Sequence, residues 1–535
     1  MTAEFEEIVK LTGGFGRYQW FLYTWYMAVV FVVAPHNGFM IFGRLEPSHG
    51  ELCHFRNRTW YYDKLDELRA SYNLTNQTHD VTLRFDQLKN STDCDTSIRF
   101  YSVAMDFDLL GSKYWVQEFI ISLQLGAMLI GSLVAGQISD RFGRKRAFLN
   151  FFALLIIVSA SSAFIQDWRL FAVFRFFTGG LLSACFGPLG VMCLETVPQN
   201  WRLFMTIGGW PIGYIWLAFL GFLIRNWRHL ILAIDALSPI AFVLSWWIHE
   251  SPKWLIQRGR IHEASDVFRK IARWNNVNGW NEGLDDEVTE ILEEVEYDRK
   301  QSAKSKRFLT YWHLFNSRQA TIVLFTITFA RAVTVGVYYG LLFNTSKLAG
   351  DASLNLTLTM LIRCVINVLP FFIDRFSQVG RRPIIIGGSL VCWLCMAYFF
   401  TAYVTPLHNL AQVTINIAAY VGVGFASVIG IVIHEESLIE TTPTLLRNMG
   451  DGFVTSISRI GAILGPQILI LYHTWPPAPS LIFLVELTIM IILIYFLLPE
   501  TKGQPLPDLP PHLLKSKKAQ QKQTNTIDNI ANNSL

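Results

Sequence analysis

The sequence predicts an all-α integral membrane protein with twelve transmembrane helices in two pseudo-symmetric six-helix bundles. Its residues are 52% hydrophobic and 14% aromatic, and its mean hydropathy is positive. Apolar stretches of about 20 residues, the length that crosses a bilayer as a helix, recur along the chain. Short charged motifs also recur in both halves. The net charge of +4 is small and the cations are concentrated in a few loops, so nucleic acid is not an expected partner.

Twelve apolar stretches are interpreted as spans one to twelve. They cover residues 20–41, 115–135, 147–165, 169–194, 203–224, 229–248, 319–341, 353–373, 383–404, 411–434, 448–471 and 480–498. The predicted organisation is a cytoplasmic N-terminus with span one (1–41), an extracellular glycosylated loop (42–113), spans two to six (114–249), a cytoplasmic linker with short helices at 263–273 and 284–300 (250–318), a C-terminal six-helix bundle (319–498) and a cytoplasmic tail (499–535).

The first loop carries the signals of an oxidising, extracellular side. Four acceptor triplets for N-glycosylation cluster there, beginning at Asn57, Asn73, Asn76 and Asn90. Cys53 and Cys94 lie in the same loop, where such a compartment would favour a disulfide between them. The N-terminus is acidic, so no cleavable leader is expected. We therefore predict a plasma-membrane protein with both termini in the cytoplasm.

A basic stretch at residues 136–146 joins spans two and three. Arg141, Arg144, Lys145 and Arg146 indicate a cytoplasmic turn, because short loops rich in Lys and Arg stay inside. Asp140 is expected to pair with an arginine or to cap a helix start. The pattern Gly-x-x-x-Asp-Arg-x-Gly-Arg-Lys resembles the signature loop of the major facilitator superfamily, although an ordinary basic turn is an alternative.

The inner ends of the two halves repeat each other. Glu195 with Arg202 seven residues later recurs as Glu440 with Arg447, and residues 374–382 correspond to residues 140–146, with Ser377 where an acid is expected. We hypothesise a cytoplasmic gate in which opposite charges pair across the halves when the carrier opens outward. Its residues are Asp140, Arg141, Arg144, Glu195, Arg202, Glu440 and Arg447. The alternative is that these charges only fix the topology.

Five motifs resemble solute carrier family 22, the organic cation, anion and zwitterion transporters. They lie at residues 35–37, 250–255, 338–341, 440–450 and 499–507, so the resemblance runs nearly end to end. It implies a major facilitator fold and secondary-active or facilitative transport of small organic ions by alternating access. It also implies that Arg459 occupies a place where anion and carnitine carriers tend to have Arg and cation carriers Asp.

Three arginines fall near the middle of predicted spans: Arg331, Arg363 and Arg459. An arginine at that depth is costly unless it faces a cavity or a partner, so each is a candidate substrate ligand. Satisfaction by backbone carbonyls or a neighbouring acid is the alternative. We expect no acid of the second half at matching depth, and three unpaired cations at one level indicate a site for an anion. Arg331 and Tyr338 are expected to line one cavity.

Aromatic side chains on spans five and seven are further candidates for stacking on a substrate or sheltering a cation. They are Tyr338, Tyr339, Trp210, Tyr214 and Trp216. Most aromatics of membrane helices simply pack. Glu118 and Asp235 in spans two and six have three open roles: pairing with Arg175, attracting cations, or carrying a coupled proton.

The sequence shows no nucleotide-binding loop, zinc spacing or catalytic triad pattern, so neither an enzyme nor a cofactor or metal is expected. We predict a transporter that prefers organic anions or carnitine-like zwitterions. The first alternative is an organic cation transporter, and the second is a non-transporting receptor or scaffold of the same fold. The expected partners are a small organic ion and the lipid bilayer; whether a coupling ion or counter-substrate takes part stays open.

Overall fold

The computed structural model describes most of the predicted spans and part of the segment between spans six and seven. The described residues are 2–45, 100–109, 113–198, 201, 209–277, 283–284, 287–293, 296, 311–315, 317–376, 378–405, 410–433, 438–441 and 447–500. The predicted glycosylation sites at Asn57, Asn73, Asn76 and Asn90 and the predicted disulfide between Cys53 and Cys94 lie outside these residues and stay predictions.

Each predicted span corresponds to helix in the described residues. The spans are Arg17–Gly38 with Met40–Gly43, Tyr114–Phe142, Arg144–Ser162, Trp168–Leu194, Gly209–Leu223, Trp227–Asp235 with Ser238–Leu244, Arg318–Asn344, Ala352–Phe376, Arg381–Val404, Leu410–Ile431, Arg447–Ile468 and Ala478–Leu497. Eleven of these helical segments are long and apolar enough to cross a membrane, and the described part of span five is shorter. This confirms the predicted all-α membrane fold.

The remaining described helices are short. They are Thr2–Leu11, Val103–Asp106, Pro252–Gln257, Ile261–Trp274 and Leu438–Thr441, with 3-10 turns at Ser245–Trp247, Tyr311–Phe315, Thr345–Lys347 and Leu469–His473. Local chemistry sets several boundaries. The Asp167 carboxylate accepts from the Arg169 N–H at 2.6 Å where span four begins, and the Asn226 side chain accepts from the Arg228 N–H at 2.9 Å at the start of span six.

The contacts between Cα atoms divide the chain into two units. The first contains Met1–Lys306, Leu342–Leu361 and Pro466–Pro476, and the second contains Arg307–Leu341, Ile362–Gly465 and Pro477–Leu535. The ends of spans seven, eight and eleven therefore belong to the first unit, which the sequence did not predict. Within that unit the Lys347 ammonium lies 4.5 Å from the ring centroid of Tyr114 and 4.9 Å from that of Tyr472. The Gln467 amide also donates to the Ser122 hydroxyl at 2.8 Å.

The predicted turn at residues 136–146 is shorter than expected. Span two continues as helix to Phe142 and span three begins at Arg144, so the break is the single residue Gly143. Its φ of +109° is strained for any residue with a side chain. The Glu250 carboxylate accepts from the Lys145 N–H at 3.0 and 3.2 Å, which satisfies an otherwise unpaired donor at the helix start.

The second half repeats this arrangement at the start of span nine. The Glu500 carboxylate accepts from the backbone N–H of Arg381 at 2.8 Å and from that of Arg382 at 3.3 Å. In both halves a glutamate after the last span thus closes the start of the third span. This contact supports the internal repeat seen in the sequence.

An apolar cluster, here called the inner cluster, joins the N-terminal helix to the helices between spans six and seven. Its buried members include Ile8, Val9, Leu255, Phe268 and Leu292. The helix Ile261–Trp274 agrees with the predicted helical pattern at 263–273, and residues 287–293 lie within the second predicted pattern. The N-terminal helix Thr2–Leu11 was not predicted from the sequence.

Asn275 links the inner cluster to span one. Its side-chain oxygen accepts from the Tyr18 N–H at 2.8 Å. Its amide nitrogen donates to the Thr12 carbonyl at 2.8 Å and to the Gln19 side chain at 3.1 Å. One residue after the helix Ile261–Trp274 therefore holds both the end of the N-terminal helix and the start of span one.

His249, two residues after the last 3-10 turn of span six, lies beside this joint. Its ring stacks on that of Tyr18 with centroids 5.5 Å apart. Burial, with the positive charges of Lys270 and Lys145 as smaller causes, lowers the pKa of His249 to about 4. The imidazole is therefore neutral at physiological pH.

Candidate functional site

The three candidate arginines belong to the second unit, and close helix packing sets the level of two of them. Spans seven and eleven meet at Ala332 and Gly461, where a Cβ added to Gly461 would overlap the Ala332 carbonyl. Arg331 precedes that contact and Arg459 is two residues before it. Each lies about 18–20 Å along its helix from the first residue, at 1.5 Å per residue.

Arg363 is held by side chains of spans seven and ten. Its Nε donates to the Ser427 hydroxyl at 3.0 Å, and its Nη1 donates to the Tyr338 hydroxyl at 2.7 Å. The guanidinium carbon lies 5.0 Å from the centroid of the Tyr338 ring. Tyr338 is thus a partner of Arg363, and the expectation that Arg331 and Tyr338 line one cavity stays a prediction.

Arg331 also contacts span ten, at a residue three positions after Ser427. Its Nη1 donates to the backbone carbonyl of Gly430, and its charge also acts on the Asp451 carboxylate of span eleven. Ser427 and Gly430 are three residues apart and share one face of span ten. The alternative of a carbonyl-bound arginine therefore applies to Arg331, while Arg363 is bound through side chains.

Arg459 differs from the other two. It is partly buried, and its guanidinium has no hydrogen-bond or ion-pair partner among the described residues. None of its nitrogens is among the buried polar atoms that lack a partner, so the guanidinium is accessible to solvent or to a ligand. Of the three arginines, Arg459 is the one that most needs an anion.

The sequence argument that no acid of the second half lies at this depth was wrong. Glu486 is the ninth residue of span twelve, about 12 Å from its first residue at 1.5 Å per residue. Asp451 lies in the first turns of span eleven. Both acids lie inside the predicted spans 448–471 and 480–498, so the sequence itself contains this signal. Three arginines still outnumber the one carboxylate, Glu486, at comparable depth.

The aromatic candidates divide between the units. Tyr339 is buried and packs edge-on against Tyr338 with centroids 5.1 Å apart. In the first unit, Trp210 contacts Phe186 at 5.1 Å between centroids and Trp216 stacks on Phe31 at 4.9 Å.

The hydroxyl of Tyr214 is already engaged, because it accepts from the Asn37 amide at 3.0 Å. Tyr214 is almost fully buried. The packing alternative therefore describes Tyr214, and Tyr338 is the aromatic candidate that contacts an arginine of the site.

The two acids of the first unit have different partners. Glu118 forms a 2.6 Å ion pair with Arg44, and both side chains are fully buried. The sequence analysis did not name Arg44, although it lies just after span one. Asp235 lies 3.2 Å from the Nε2 of His36 and close enough to Arg175 to interact with its charge. Of the roles left open for Glu118, pairing holds, but with Arg44 rather than Arg175.

The described gate residues pair within the first unit. Arg144 donates to the carboxylate of Asp140, and its Nε lies 3.7 Å from a carboxylate oxygen of Glu195. Glu195 in turn accepts from the Ser251 hydroxyl at 2.6 Å. Arg141 is exposed and lies over the ring of Phe142.

The rest of the predicted gate is not described at the level of side chains. Arg202 lies outside the described residues, and the structure describes the backbone alone at Glu440 and Arg447. Pairing between the two halves therefore stays a prediction.

The sequence and the fold both match known transporters. The family described as "Sugar (and other) transporter" matches residues 70–512. The "Organic cation transporter protein" of Drosophila melanogaster is 28% identical over 527 residues, covering 94% of this chain and 93% of that protein. The human "Organic cation/carnitine transporter 2" is 28% identical over 435 residues, covering 79% of this chain and 73% of that protein.

The fold resembles that of the xylose transporter XylE from E. coli in an inward-open conformation. The TM-score is 0.59 at 15% sequence identity, covering 90% of this chain and 98% of XylE. At that identity the likeness concerns the fold alone, and it confirms the predicted major facilitator architecture. The relatives also confirm the resemblance to solute carrier family 22 and the prediction of a transporter rather than an enzyme.

Proposed function

We propose that this chain, which belongs to the sugar (and other) transporter family, prefers organic anions or zwitterions as substrates. The premise is that it is an organic-ion transporter of the solute carrier family 22 type. The observation that carries this proposal is the partly buried guanidinium of Arg459, which has no partner among the described residues. A negative group of the substrate would supply the missing counter-charge.

The neighbouring groups favour an anion over a cation. Arg363 is oriented by Tyr338 and Ser427, and a fixed guanidinium binds a carboxylate at little cost in reorganisation. A zwitterion such as carnitine would place its carboxylate at an arginine. Its quaternary ammonium group would suit Glu486 or an aromatic face.

The mode of transport follows the family premise. We infer that the substrate crosses by alternating access between the two halves, with both termini cytoplasmic, the loop at 42–113 extracellular and the plasma membrane as the site. The charges at Asp140, Arg144 and Glu195 would then exchange partners with those at Glu440 and Arg447 as the inner side closes. Charge reversal at Glu440 combined with reversal at Arg447 or Arg202 tests this exchange, because a double reversal should restore transport lost in the single variants.

The test of the substrate class is uptake of three labelled probes in cells expressing the full chain. The probes are para-aminohippurate as an organic anion, tetraethylammonium as an organic cation, and carnitine. We expect uptake of para-aminohippurate or carnitine, abolished by Arg459→Asp and reduced by Arg459→Lys, which keeps the charge and loses the planar fork.

Arg169→Asp is the matched control, because Arg169 is exposed at the start of span four. It makes the same charge change outside the site and should leave uptake unchanged at equal surface expression. Uptake of tetraethylammonium alone, unaffected by Arg459→Asp, would contradict the anion proposal.

A second candidate function is organic cation transport through Glu486. The observation that favours it is a carboxylate midway along span twelve, partly buried and without a hydrogen bond among the described residues. Glu486→Gln would then abolish uptake of the cation and spare that of the anion. No flux of any probe through purified, reconstituted protein would instead favour the receptor or scaffold alternative.

A further inference from the structure

A cleft of about 530 Å³ lies where spans seven and nine begin and span twelve ends. Two arginines line it: Arg318, the first residue of span seven, and Arg382, the second residue of span nine. The rest of the lining is mostly apolar and includes Ile322, Val323, Phe496 and Leu498. No acid is among the described residues that line the cleft. All of its lining belongs to the second unit.

The side chain of Arg382 is held by span twelve. Its Nη2 donates to the backbone carbonyl of Tyr495, and its guanidinium carbon lies 5.1 Å from the centroid of the Tyr495 ring. That carbonyl belongs to the last turn of span twelve, where no intrahelical partner remains for it. The Nε and Nη1 of Arg382 make no hydrogen bond with the described residues. The guanidinium is thus oriented, with donors left for a ligand.

Arg318 supplies the second positive charge of the cleft. Its side chain is exposed and makes no hydrogen bond or ion pair with the described residues. Glu500, which follows the cleft in sequence, accepts from the backbone N–H groups of Arg381 and Arg382. Water ordinarily satisfies a single exposed arginine. Two cations that share a cleft with apolar side chains instead favour a ligand that is both anionic and apolar.

Exposed aromatic side chains indicate that the cleft lies at the level of the lipid headgroups. Trp312, six residues before Arg318, is 77% exposed, and Tyr495 at the end of span twelve is 56% exposed. Trp and Tyr concentrate at the boundary between membrane and water. Arginine at that boundary keeps its charged end among the headgroups and its methylenes along apolar surface. Phe496, which is 75% exposed, adds apolar surface beside the two arginines.

The chain that follows the cleft does not complement its charge. Residues 501–535 contain five lysines and two aspartates. A segment with an excess of lysine is repelled by two arginines. A free phosphate ion would pair with the arginines but would leave the apolar lining uncovered. An anionic phospholipid satisfies both parts of the cleft.

We propose that this cleft binds an anionic phospholipid of the bilayer, with the phosphate at Arg318 and Arg382 and an acyl chain along Ile322 and Phe496. Arginine binds phosphate oxygens through paired N–H donors. Basic pockets between membrane helices hold anionic headgroups in this way. In the orientation proposed above, this end of the spans faces the cytoplasm, whose leaflet carries the anionic lipids. The bound lipid ties the starts of spans seven and nine to the end of span twelve.

Native mass spectrometry of the purified full chain in detergent counts bound lipid molecules and tests the proposal. The probes are dioleoylphosphatidylserine, which is anionic, and dioleoylphosphatidylcholine, which has the same chains and no net charge. We expect one phosphatidylserine to bind more tightly than any phosphatidylcholine. One arginine close to anionic lipid contributes about a fivefold change in affinity. Arg318→Gln should therefore weaken the binding of phosphatidylserine by about that factor.

The remaining variants separate binding from folding. Arg318→Gln removes no contact with the described residues, so it tests the ligand alone. Arg382→Gln also removes the hydrogen bond to the Tyr495 carbonyl, whereas Arg382→Lys keeps the charge and should retain most of the affinity. The double variant with Gln at both positions should bind phosphatidylserine about 25-fold more weakly, if the two effects add. Arg146→Gln is the matched control, because Arg146 is an exposed arginine in the first turn of span three, and it should bind as the wild type does.

A second readout separates a lipid site from a site for a free anion. Dihexanoylphosphatidylserine carries the same headgroup on short chains, and inorganic phosphate carries the anion alone. At equal concentration, we expect both to raise the melting temperature less than dioleoylphosphatidylserine does.

Three results would overturn the proposal. Equal binding of phosphatidylserine by the wild type and the double variant would show that the arginines hold no lipid. Equal binding of phosphatidylcholine and phosphatidylserine by the wild type would remove the role of charge. Stabilisation by inorganic phosphate as large as that by the long-chain lipid would assign the arginines a free anion. None of these measurements requires transport, so the lipid site and the proposed substrate class stand or fall separately.

Discussion

Replacing Tyr338 by Phe removes one hydroxyl from the candidate site and keeps the ring. The hydroxyl accepts a 2.7 Å hydrogen bond from Arg363, whose guanidinium also lies 5.0 Å from the ring centroid. A hydrogen bond to a charged group contributes about 1.5–3 kcal/mol. The cation–π contact, about 0.5–2 kcal/mol, is retained in the variant. At 1.4 kcal/mol per factor of ten, the lower figure predicts a KM for the anion raised about tenfold.

Initial-rate uptake into proteoliposomes, measured over a range of substrate concentrations, separates KM from the maximal rate. Tyr398→Phe is the matched control, because its hydroxyl bonds Thr414 on the exposed surface of spans nine and ten. That variant should leave KM unchanged. An unchanged KM in Tyr338→Phe would refute the argument that this hydroxyl orients Arg363 for substrate. A fall in the amount of folded protein at constant KM would assign the hydroxyl a packing role.

Three further predictions concern stability, measured as the melting temperature of the purified protein. Glu118→Ala leaves Arg44 buried without its counter-charge and should cost about 3–5 kcal/mol, whereas Arg44→Met combined with Glu118→Leu should recover most of it. Glu250→Gln weakens the cap at the start of span three and should cost about 1 kcal/mol. His249→Phe should remove a loss of stability on acidification: the folded pKa of about 4 lies below the ordinary 6.5, so the unfolded chain binds the proton first and stability falls as the pH drops through this window.

Each of these has an outcome that contradicts it. For the buried pair, a double variant no more stable than Glu118→Ala would show that charge is not the cause. For the cap, an effect as large as that of Glu118→Ala would mean that Glu250 does more than close a helix start. For His249, a wild type as stable at about pH 4.5 as at neutral pH would contradict the lowered pKa, with His229→Gln as the exposed-histidine control.

The spans were the part of the structure most open to prediction. Hydropathy reports transfer into lipid residue by residue, so a stretch such as 169–194 is recognisable without its neighbours. The break between spans two and three was placed less well. Basic residues suggested an extended turn, but Arg141 and Arg144 are compatible with helix, and only the positive φ of Gly143 interrupts it.

The sequence predicted how far along their spans the candidate arginines lie, but not which side chains they contact. Counting residues from the span ends found Arg331, Arg363 and Arg459, because rise per residue is constant. The contacts between side chains depend on the rotation and packing of the helices. Tyr338 is seven residues from Arg331 on the same helix, but its hydroxyl accepts a hydrogen bond from Arg363. The contact of Ser427 with Arg363 has no signal in the sequence, whereas Glu486 is visible there as an acid inside span twelve.

The hydrogen bonds of Asn275 couple span one to the N-terminal helix and to the helix Ile261–Trp274. Three hydrogen bonds of the Asn275 side chain, together with the apolar inner cluster, tie the start of span one to both helices. We expect a tilt of span one to displace the helix Ile261–Trp274 and the N-terminal helix with it. Conversely, a displacement of either of these two helices is expected to shift the start of span one.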